Sequence, residues 1–289
     1  MEELHDFRQR IESHFDNLTK REQQIASFLL SNHEQATFLN GSEIAKHVNV
    51  SEATVVRFAK SIGYKNFPEL RRALQEIFRV KVTPAARLQR KLIDLKSGKG
   101  DILHQVVDME LQYLAEVPRS IASADFERAV KIILKGKRLF IFGSGPSRIL
   151  AELVQIRFNR FALPNVLITE TGRDMLDKLL LLRPDDAVLA TGFYRDNREL
   201  CAMIEQARQS GCKIVLLTDS LGARYKDLVD VVLAARRGPV STFHSLTVPM
   251  AIINALILAV AMDRSEATVA SLNRLQALRA QYDLDNLTR

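Results

Sequence analysis

Ser42 to Phe67, SEIAKHVNVSEATVVRFAKSIGYKNF, admits little besides two short helices meeting at a tight turn. Ser42 is suited to cap a first helix over Glu43–Val48, with Ile44, Ala45 and Val48 on one side. Asn49-Val50 makes the turn, and Ser51 caps a second helix that runs to about Ile62. In that second helix Val55, Phe58, Ala59 and Ile62 recur at i, i+3, i+4 and i+7, which predicts one buried stripe. Ala53, Arg57 and Lys60 then point the opposite way, with Thr54 on the flank. Two helices joined this tightly form a helix-turn-helix, whose second helix fits the DNA major groove. A small residue near its start allows close approach, Arg57 can fork onto a guanine edge, and Lys60 suits a phosphate. An ordinary helical hairpin with a solvated basic face shares this local pattern, so charge has to discriminate.

The placement of charge favours DNA. The chain carries a formal net charge of +7, and Lys46–Lys99 holds 13 Lys and Arg against 4 Asp and Glu. From Gly100 onward the two signs are near balance. The positive excess thus accompanies the helix-turn-helix, where counterion release from phosphates would supply affinity. Composition otherwise describes a globular protein of one or two domains, 47% apolar and 26% charged over 289 residues. Cys201 and Cys212 are too few and too ill-placed for a disulfide framework or a zinc site, so no metal is expected. They suit a reducing cytoplasm. The N-terminal MEELHDFRQR has no apolar stretch of the kind a signal peptide needs. The longest apolar run, Val248–Met262, spans 15 residues and includes Asn254, which predicts a buried helix and no membrane span.

The chain changes character near its middle. Residues 1–80 read as all-helical, with Thr19-Lys-Arg-Glu22 as a capping box ahead of Ile25, Phe28 and Leu29, and a further helix over about Pro68–Val80. Residues 81–100 are basic, contain Pro84 and end in Ser97-Gly-Lys-Gly100, the punctuation of a linker that is partly helical. Residues 101–289 open with helical patterns at Ile102–Val117 and Ala124–Leu134. Five β-rich runs follow, at Arg138–Phe142, Asn165–Thr169, Ala187–Ala190, Lys213–Thr218 and Val229–Ala234. Helical stretches such as Ser147–Phe161 and Asp196–Ser210 separate most of them, and Ser241–Leu284 is helical again. That alternation predicts an α/β domain with a parallel five-stranded sheet covered by helices on both faces.

Ligands of such sheets bind beyond the carboxyl ends of the strands, and three loops there attract notice. Gly143-Ser-Gly-Pro-Ser147 lies between a strand and a helix; its glycines let backbone N–H groups approach an anion while the hydroxyls donate. The same sequence also suits a plain strand-to-helix turn. A dinucleotide fingerprint is disfavoured, because Arg148 stands where its third glycine would fall, and no Walker A motif occurs, so no cofactor is expected. In Thr191-Gly-Phe-Tyr-Arg-Asp-Asn197, Thr191, Arg195 and Asn197 suit an anionic or hydroxylated ligand, with Asp196 or Asn197 as helix cap. Ser241-Thr-Phe-His-Ser245 precedes the long apolar helix; its hydroxyls suit caps or ligand contacts, and His244 is a nominal general base with no evident acidic partner.

Val50-Ser-Glu-Ala-Thr54, Val56-Arg-Phe-Ala-Lys60, Gly63-Tyr64 and Asn66-Phe67 resemble the signature of the RpiR family of bacterial transcription regulators. The resemblance covers nearly the whole chain and extends to Gly143–Ser147, similar to the first phosphate loop of the sugar isomerase (SIS) domain, and to Thr218-Asp219-Ser220. It implies an N-terminal helix-turn-helix domain and a C-terminal SIS-type α/β sandwich that senses a phosphosugar, with Ser144 and Ser147 on the effector phosphate. In the family the second SIS loop is usually serine-rich with a Ser-Gly-x-Thr core. Here it keeps one hydroxyl and adds Arg195 and two aromatics, which points away from an ordinary hexose phosphate.

Together these features predict a cytoplasmic, non-enzymatic regulator acting as a homodimer or homotetramer on double-stranded operator DNA. Ser51, Ala53, Thr54, Arg57 and Lys60 are the candidate DNA contacts. Ser144, Ser147, Thr191, Arg195, Asn197, Ser241 and Ser245 are the candidate contacts to a small anionic effector. The alternative is a phosphosugar isomerase-like enzyme with a helical assembly domain, for which Glu170, Glu199 and His244 are nominal bases.

Overall fold

The computed structural model describes residues 2–31, 39–81, 84–98, 100–193, 197–219, 221–238 and 243–282. They fall into two units, one formed within residues 1–98, the other within residues 99–238 and 244–289.

The first unit is helical. Its described helices are α1 (Glu2–His14), α2 (Lys20–Ser31), α3 (Gly41–His47), α4 (Glu52–Ser61), α5 (Phe67–Lys81) and α6 (Pro84–Ser97). The last lies in the segment expected to be a partly helical linker. The predicted apolar stripe of α4 is buried: Val55, Phe58, Ala59 and Ile62 are each 0% exposed and pack with Phe7, Ile11, Ile25, Leu29, Ile44, Leu70 and Leu74. Each such aliphatic or aromatic side chain contributes about 1.5–3 kcal/mol through burial. One cap differs from expectation. Asn40, not Ser42, caps α3: its Oδ1 accepts from Glu43 N at 2.9 Å, and the Asn40 N–H donates to Glu43 Oε2 at 2.7 Å. Asn40-Gly-Ser-Glu43 is itself a capping box, which starts the helix at Gly41 and leaves Ser42 inside its first turn.

The second unit begins with α7 (Ile102–Ser120) and α8 (Ser123–Lys135) and continues through β1 (Leu139–Gly143), α9 (Arg148–Arg160), β2 (Asn165–Ile168), α10 (Arg173–Leu179) and β3 (Ala187–Thr191). It then passes through α11 (Arg198–Gln209), β4 (Lys213–Thr218), α12 (Gly222–Tyr225) and β5 (Val231–Ala234), and ends in α13 (Thr247–Asp263) and α14 (Ser265–Gln281). The sheet is parallel with order β2-β1-β3-β4-β5. Alternate residues serve opposite faces. Leu139, Ile141, Leu189, Val215 and Leu217 face α8, α9 and α13, whereas Phe140, Phe142, Val188, Ile214 and Leu216 face α10 and α11.

Two features of this unit depart from the sequence reading. The helices Arg173–Leu179 and Gly222–Tyr225 are too short to show periodicity and were not anticipated. The apolar run Val248–Met262 forms α13, but only one side of it is buried: Ile253, Leu256 and Val260 lie in the core, while Leu258 and Met262 are 63% and 77% exposed. Asn254 falls on the outer side. No single helix among the described residues is long and apolar enough to cross a membrane.

Candidate functional site

In the helical unit the turn and both ends of α4 are fixed by local chemistry. Asn49 adopts φ 53°, a left-handed conformation that asparagine tolerates, and the Val50 N–H returns to Ala45 O at 2.9 Å. Ser51 Oγ accepts from Thr54 N at 3.2 Å and so caps α4 as predicted. At the far end Gly63 takes φ +86°; Gly63 N donates to Lys60 O at 3.0 Å and Tyr64 N to Ala59 O at 2.9 Å, a Schellman motif. Asn66 Oδ1 then accepts from Glu69 N at 2.9 Å to start α5.

Ala53, Arg57 and Lys60 are exposed on the outer side of α4. Thr54, expected on the flank and available to DNA, is only 4% exposed, and its hydroxyl lies 2.8 Å from Ser51 Oγ. Thr54 therefore completes the cap, because a threonine three residues after the N-cap serine turns its hydroxyl back toward it. A further link was not legible in sequence. Glu22, 8% exposed, accepts from the Thr19 hydroxyl and N–H at 2.7 and 3.0 Å and from Ser61 Oγ at 2.8 Å, tying the start of α2 to the end of α4. Burial pushes its carboxyl up, but those hydrogen bonds, with Arg57 nearby, outweigh burial and hold it below the usual carboxylate range.

In the α/β unit strand register brings the suspected loops side by side. Gly143 pairs with Thr191, Thr191 with Leu217, and Thr218 with Ala234, so β1, β3, β4 and β5 end at one level. The strand order reverses between β1 and β3, the crevice where open α/β sheets bind ligands. Gly143 is required there, since a Cβ would come within 2.6 Å of Ser147 O. Gly145, at φ +55°, turns the chain into α9.

The first two loops meet through one hydrogen bond. Asn197 Nδ2 donates to Ser144 Oγ at 2.9 Å while Asn197 Oδ1 caps α11 through Leu200 N at 2.7 Å. Ser147 is buried at 7% exposure, and its hydroxyl does not cap α9. Thr191 does not line the crevice: at 0% exposure its hydroxyl donates to Phe142 O at 2.9 Å and ties β3 to β1. Its short side chain keeps the hydroxyl close to the sheet, within reach of the carbonyl on the neighbouring strand. The third loop joins through a residue that sequence reasoning missed. Arg237, just past β5, lies 4.3 Å over the Phe193 ring, donates to Asp219 Oδ2 at 2.7 Å and reaches Ser245 O at 3.4 Å. Ser245 Oγ itself serves Thr247, accepting from its N–H at 3.2 Å. Arg195 and Ser241 lie outside the described residues.

The nominal bases belong to three separate segments of the chain. Burial pushes the Glu170 carboxyl up, but Lys178 at 2.6 Å and the Thr169 N–H pull it further down, below the usual carboxylate range. That is the charge state of a structural ion pair, poorly matched to giving up and taking a proton near neutrality. Glu199 sits in the first turn of α11, and His244 is half-buried before α13. Among the described residues no group of three or more His, Cys, Asp or Glu is placed to hold a metal ion.

Two family models match this sequence: a helix-turn-helix domain of the rpiR family over residues 6–80 and a SIS domain over residues 132–259. An uncharacterized HTH-type transcriptional regulator of Haemophilus influenzae is 28% identical over 236 residues, covering 78% of this chain and 77% of that protein. The sugar isomerase domain of a RpiR transcription factor from Sphaerobacter thermophilus superposes with a TM-score of 0.58 at 24% identity, over 62% of this chain and 99% of that one. The Vibrio vulnificus NanR protein, solved in complex with ManNAc-6P, gives a TM-score of 0.57 at 19% identity, over 95% and 98% of the respective chains.

Proposed function

Since the chain belongs to the RpiR family of helix-turn-helix transcriptional regulators with a SIS domain, we propose that its SIS domain senses a phosphorylated sugar or related anionic metabolite and thereby shifts operator occupancy. DNA reading is assigned to residues 1–80, connection to 81–100 and effector sensing to 101–289. Arg57 forks onto a base edge, Lys60 and the Ser51 end of α4 meet phosphates, and Ala53 permits close approach. Ser144, Ser147 and Asn197 receive the effector anion, with Arg195, Ser241 and Ser245 as further contacts; Thr191 shapes the crevice from within the sheet.

The observation that carries this reading is the Asn197–Ser144 hydrogen bond, which joins the β1 and β3 loops across the switch point at the head of α9. A glycine-containing turn that leads into a helix N-terminus is local structure suited to an anion, and this supports the reading. The related NanR protein was solved with a phosphosugar, which supports the same ligand class here. The exposed Leu258 and Met262 on α13 favour a homo-oligomer, and a pair of DNA readers suits a pseudo-palindromic operator. Effector binding favours one arrangement of that pair, a population shift. The protein acts in the cytoplasm, where operator and phosphosugars occur together, and it does not turn its ligand over.

The test is direct. DNA fragments bound by the full-length protein are selected, and the anisotropy of the best one is followed while phosphosugars are added. A phosphosugar that changes DNA affinity and is recovered unaltered supports the reading. Turnover of a phosphosugar by a protein without DNA affinity would support the isomerase alternative instead.

A further inference from the structure

Asp219 and Arg237 pair at 2.7 Å just beyond the carboxyl ends of β4 and β5, with side chains only 12% and 8% exposed. The pair is incomplete. Arg237 offers one Nη to the carboxylate and its second Nη reaches the Ser245 carbonyl at a long 3.4 Å. Its Nε is buried and has no hydrogen-bond partner among the described residues. The Thr218 hydroxyl, fully buried at the last residue of β4, is unpartnered in the same sense. An orphaned guanidinium nitrogen in a buried ion pair is costly, and a pair kept for structure alone would close the fork. The chain does so elsewhere: Arg138 grips Asp186 through Nε at 3.0 Å and Nη at 2.6 Å.

We infer that Arg237 is a specificity-determining residue that takes a carboxylate on the effector, with Asp219 holding the guanidinium until that carboxylate replaces it. The inference rests on the reading of Ser144, Ser147 and Asn197 as the phosphate end of the site. In the sheet order β4 stands two interstrand spacings from β1, about 10 Å. A six-carbon chain with its phosphate at the β1 loop therefore brings its far end toward Arg237. The ligand class is a phosphorylated sugar acid. Displacement takes the guanidinium away from the Asp219 carboxylate, a cost that a ligand carboxylate offsets by engaging both Nε and Nη, the fork that Asp219 does not close. A neutral hydroxyl or carbonyl in that place cannot displace Asp219. The site therefore discriminates by charge.

Calorimetric titration of the full-length protein with 6-phosphogluconate and with glucose 6-phosphate tests this, since the two share a phosphate and a carbon skeleton and differ at C1. The acid should bind roughly tenfold or more tightly to the unaltered protein. In the double variant Arg237→Gln, Asp219→Asn, which removes both buried charges at nearly constant volume, the preference should collapse. Asp219→Asn alone should tighten binding of the acid only. Ser144→Ala should weaken both ligands alike and keep their ratio. Melting temperatures of all variants identify any that fail to fold, and Arg237→Lys, which keeps the charge, should retain part of the preference. An undiminished preference in the folded double variant, or equal affinities in the unaltered protein, would overturn the role of Arg237 while leaving the phosphate end intact. Binding of neither compound, with no stabilisation by inorganic phosphate, would remove the phosphate reading and this inference with it.

Discussion

Asn197 holds Ser144: its amide donates to the serine hydroxyl at 2.9 Å while its carbonyl oxygen caps α11. One side chain thus couples the start of a helix to the shape of the loop opposite. Asn197→Ala should lower the melting temperature, since losing an N-cap costs about 0.5–2 kcal/mol, and should also weaken the effector response by freeing the β1 loop. Ser144→Ala keeps the cap and should leave stability nearly unchanged while weakening the effector response. Thermal melts beside effector titrations separate the two. Equal loss of stability in both variants would mean that Ser144 is structural only.

Arg57→Ala should weaken specific operator recognition without disturbing the fold, because Arg57 is exposed opposite the stripe of Val55, Phe58, Ala59 and Ile62. Loss of a bidentate base contact costs roughly 1–3 kcal/mol and relaxes one operator position. Lys60→Ala should instead weaken all DNA sequences alike and reduce the salt dependence by about one counterion. Anisotropy titrations at several salt concentrations read both effects. Unchanged affinity and specificity in Arg57→Ala would move base recognition off this side of α4.

The acid limb of stability should bear the mark of Glu22. Its folded-state carboxyl is held below the usual range by the Thr19 and Ser61 hydrogen bonds in spite of burial. A group with a depressed folded pKa stabilises fully above its unfolded value, and that contribution is lost as pH falls through the folded value. The helical unit should therefore weaken as pH drops from about 5 toward the folded pKa, and Glu22→Gln should flatten that slope. At neutral pH Glu22→Ala should cost about 1 kcal/mol, because it removes the hydrogen bonds that join Thr19 to Ser61, while water can reach both exposed hydroxyls. Urea melts of the unaltered protein and both variants across pH are the measurement, and parallel slopes would assign the acid limb to other carboxyls.

Much of the fold was legible because its signals are local. The α4 stripe, the Ser51 cap and the alternation of β-rich runs with helices each sit within a few residues, and each takes its predicted form. The misreadings have one cause. Ser42, Thr54 and Thr191 all carry hydroxyls suited to a role that a neighbour already fills or that burial forbids: Asn40 outcompetes Ser42 for the cap, Thr54 turns back onto Ser51, and Thr191 is taken by Phe142. Local sequence cannot rank such competitors. Glu22–Ser61 and Asp219–Arg237 were invisible for a different reason, being contacts across 39 and 18 residues whose partners carry no pattern of their own.

Gly143→Ala should close the β1 loop to ligand. At this position an added Cβ would lie 2.6 Å from Ser147 O and 3.0 Å from the Ala151 Cβ, so either the loop or the head of α9 must move. Both are flanked by packed elements, since Gly143 ends a fully buried strand and Ala151 lies in the core, so the strain falls on residues 144–147. Overpacking of this kind typically costs about 1–3 kcal/mol. Gly145→Ala is the matched control: its Cβ meets nothing within 4 Å, but φ +55° is strained for alanine, so it should cost stability without filling the loop. Stabilisation by inorganic phosphate or a phosphosugar should therefore vanish in Gly143→Ala and persist in Gly145→Ala, while DNA binding by the ligand-free protein survives in both. Full phosphosugar response in Gly143→Ala would show that the anion does not enter between Gly143 and Ser147.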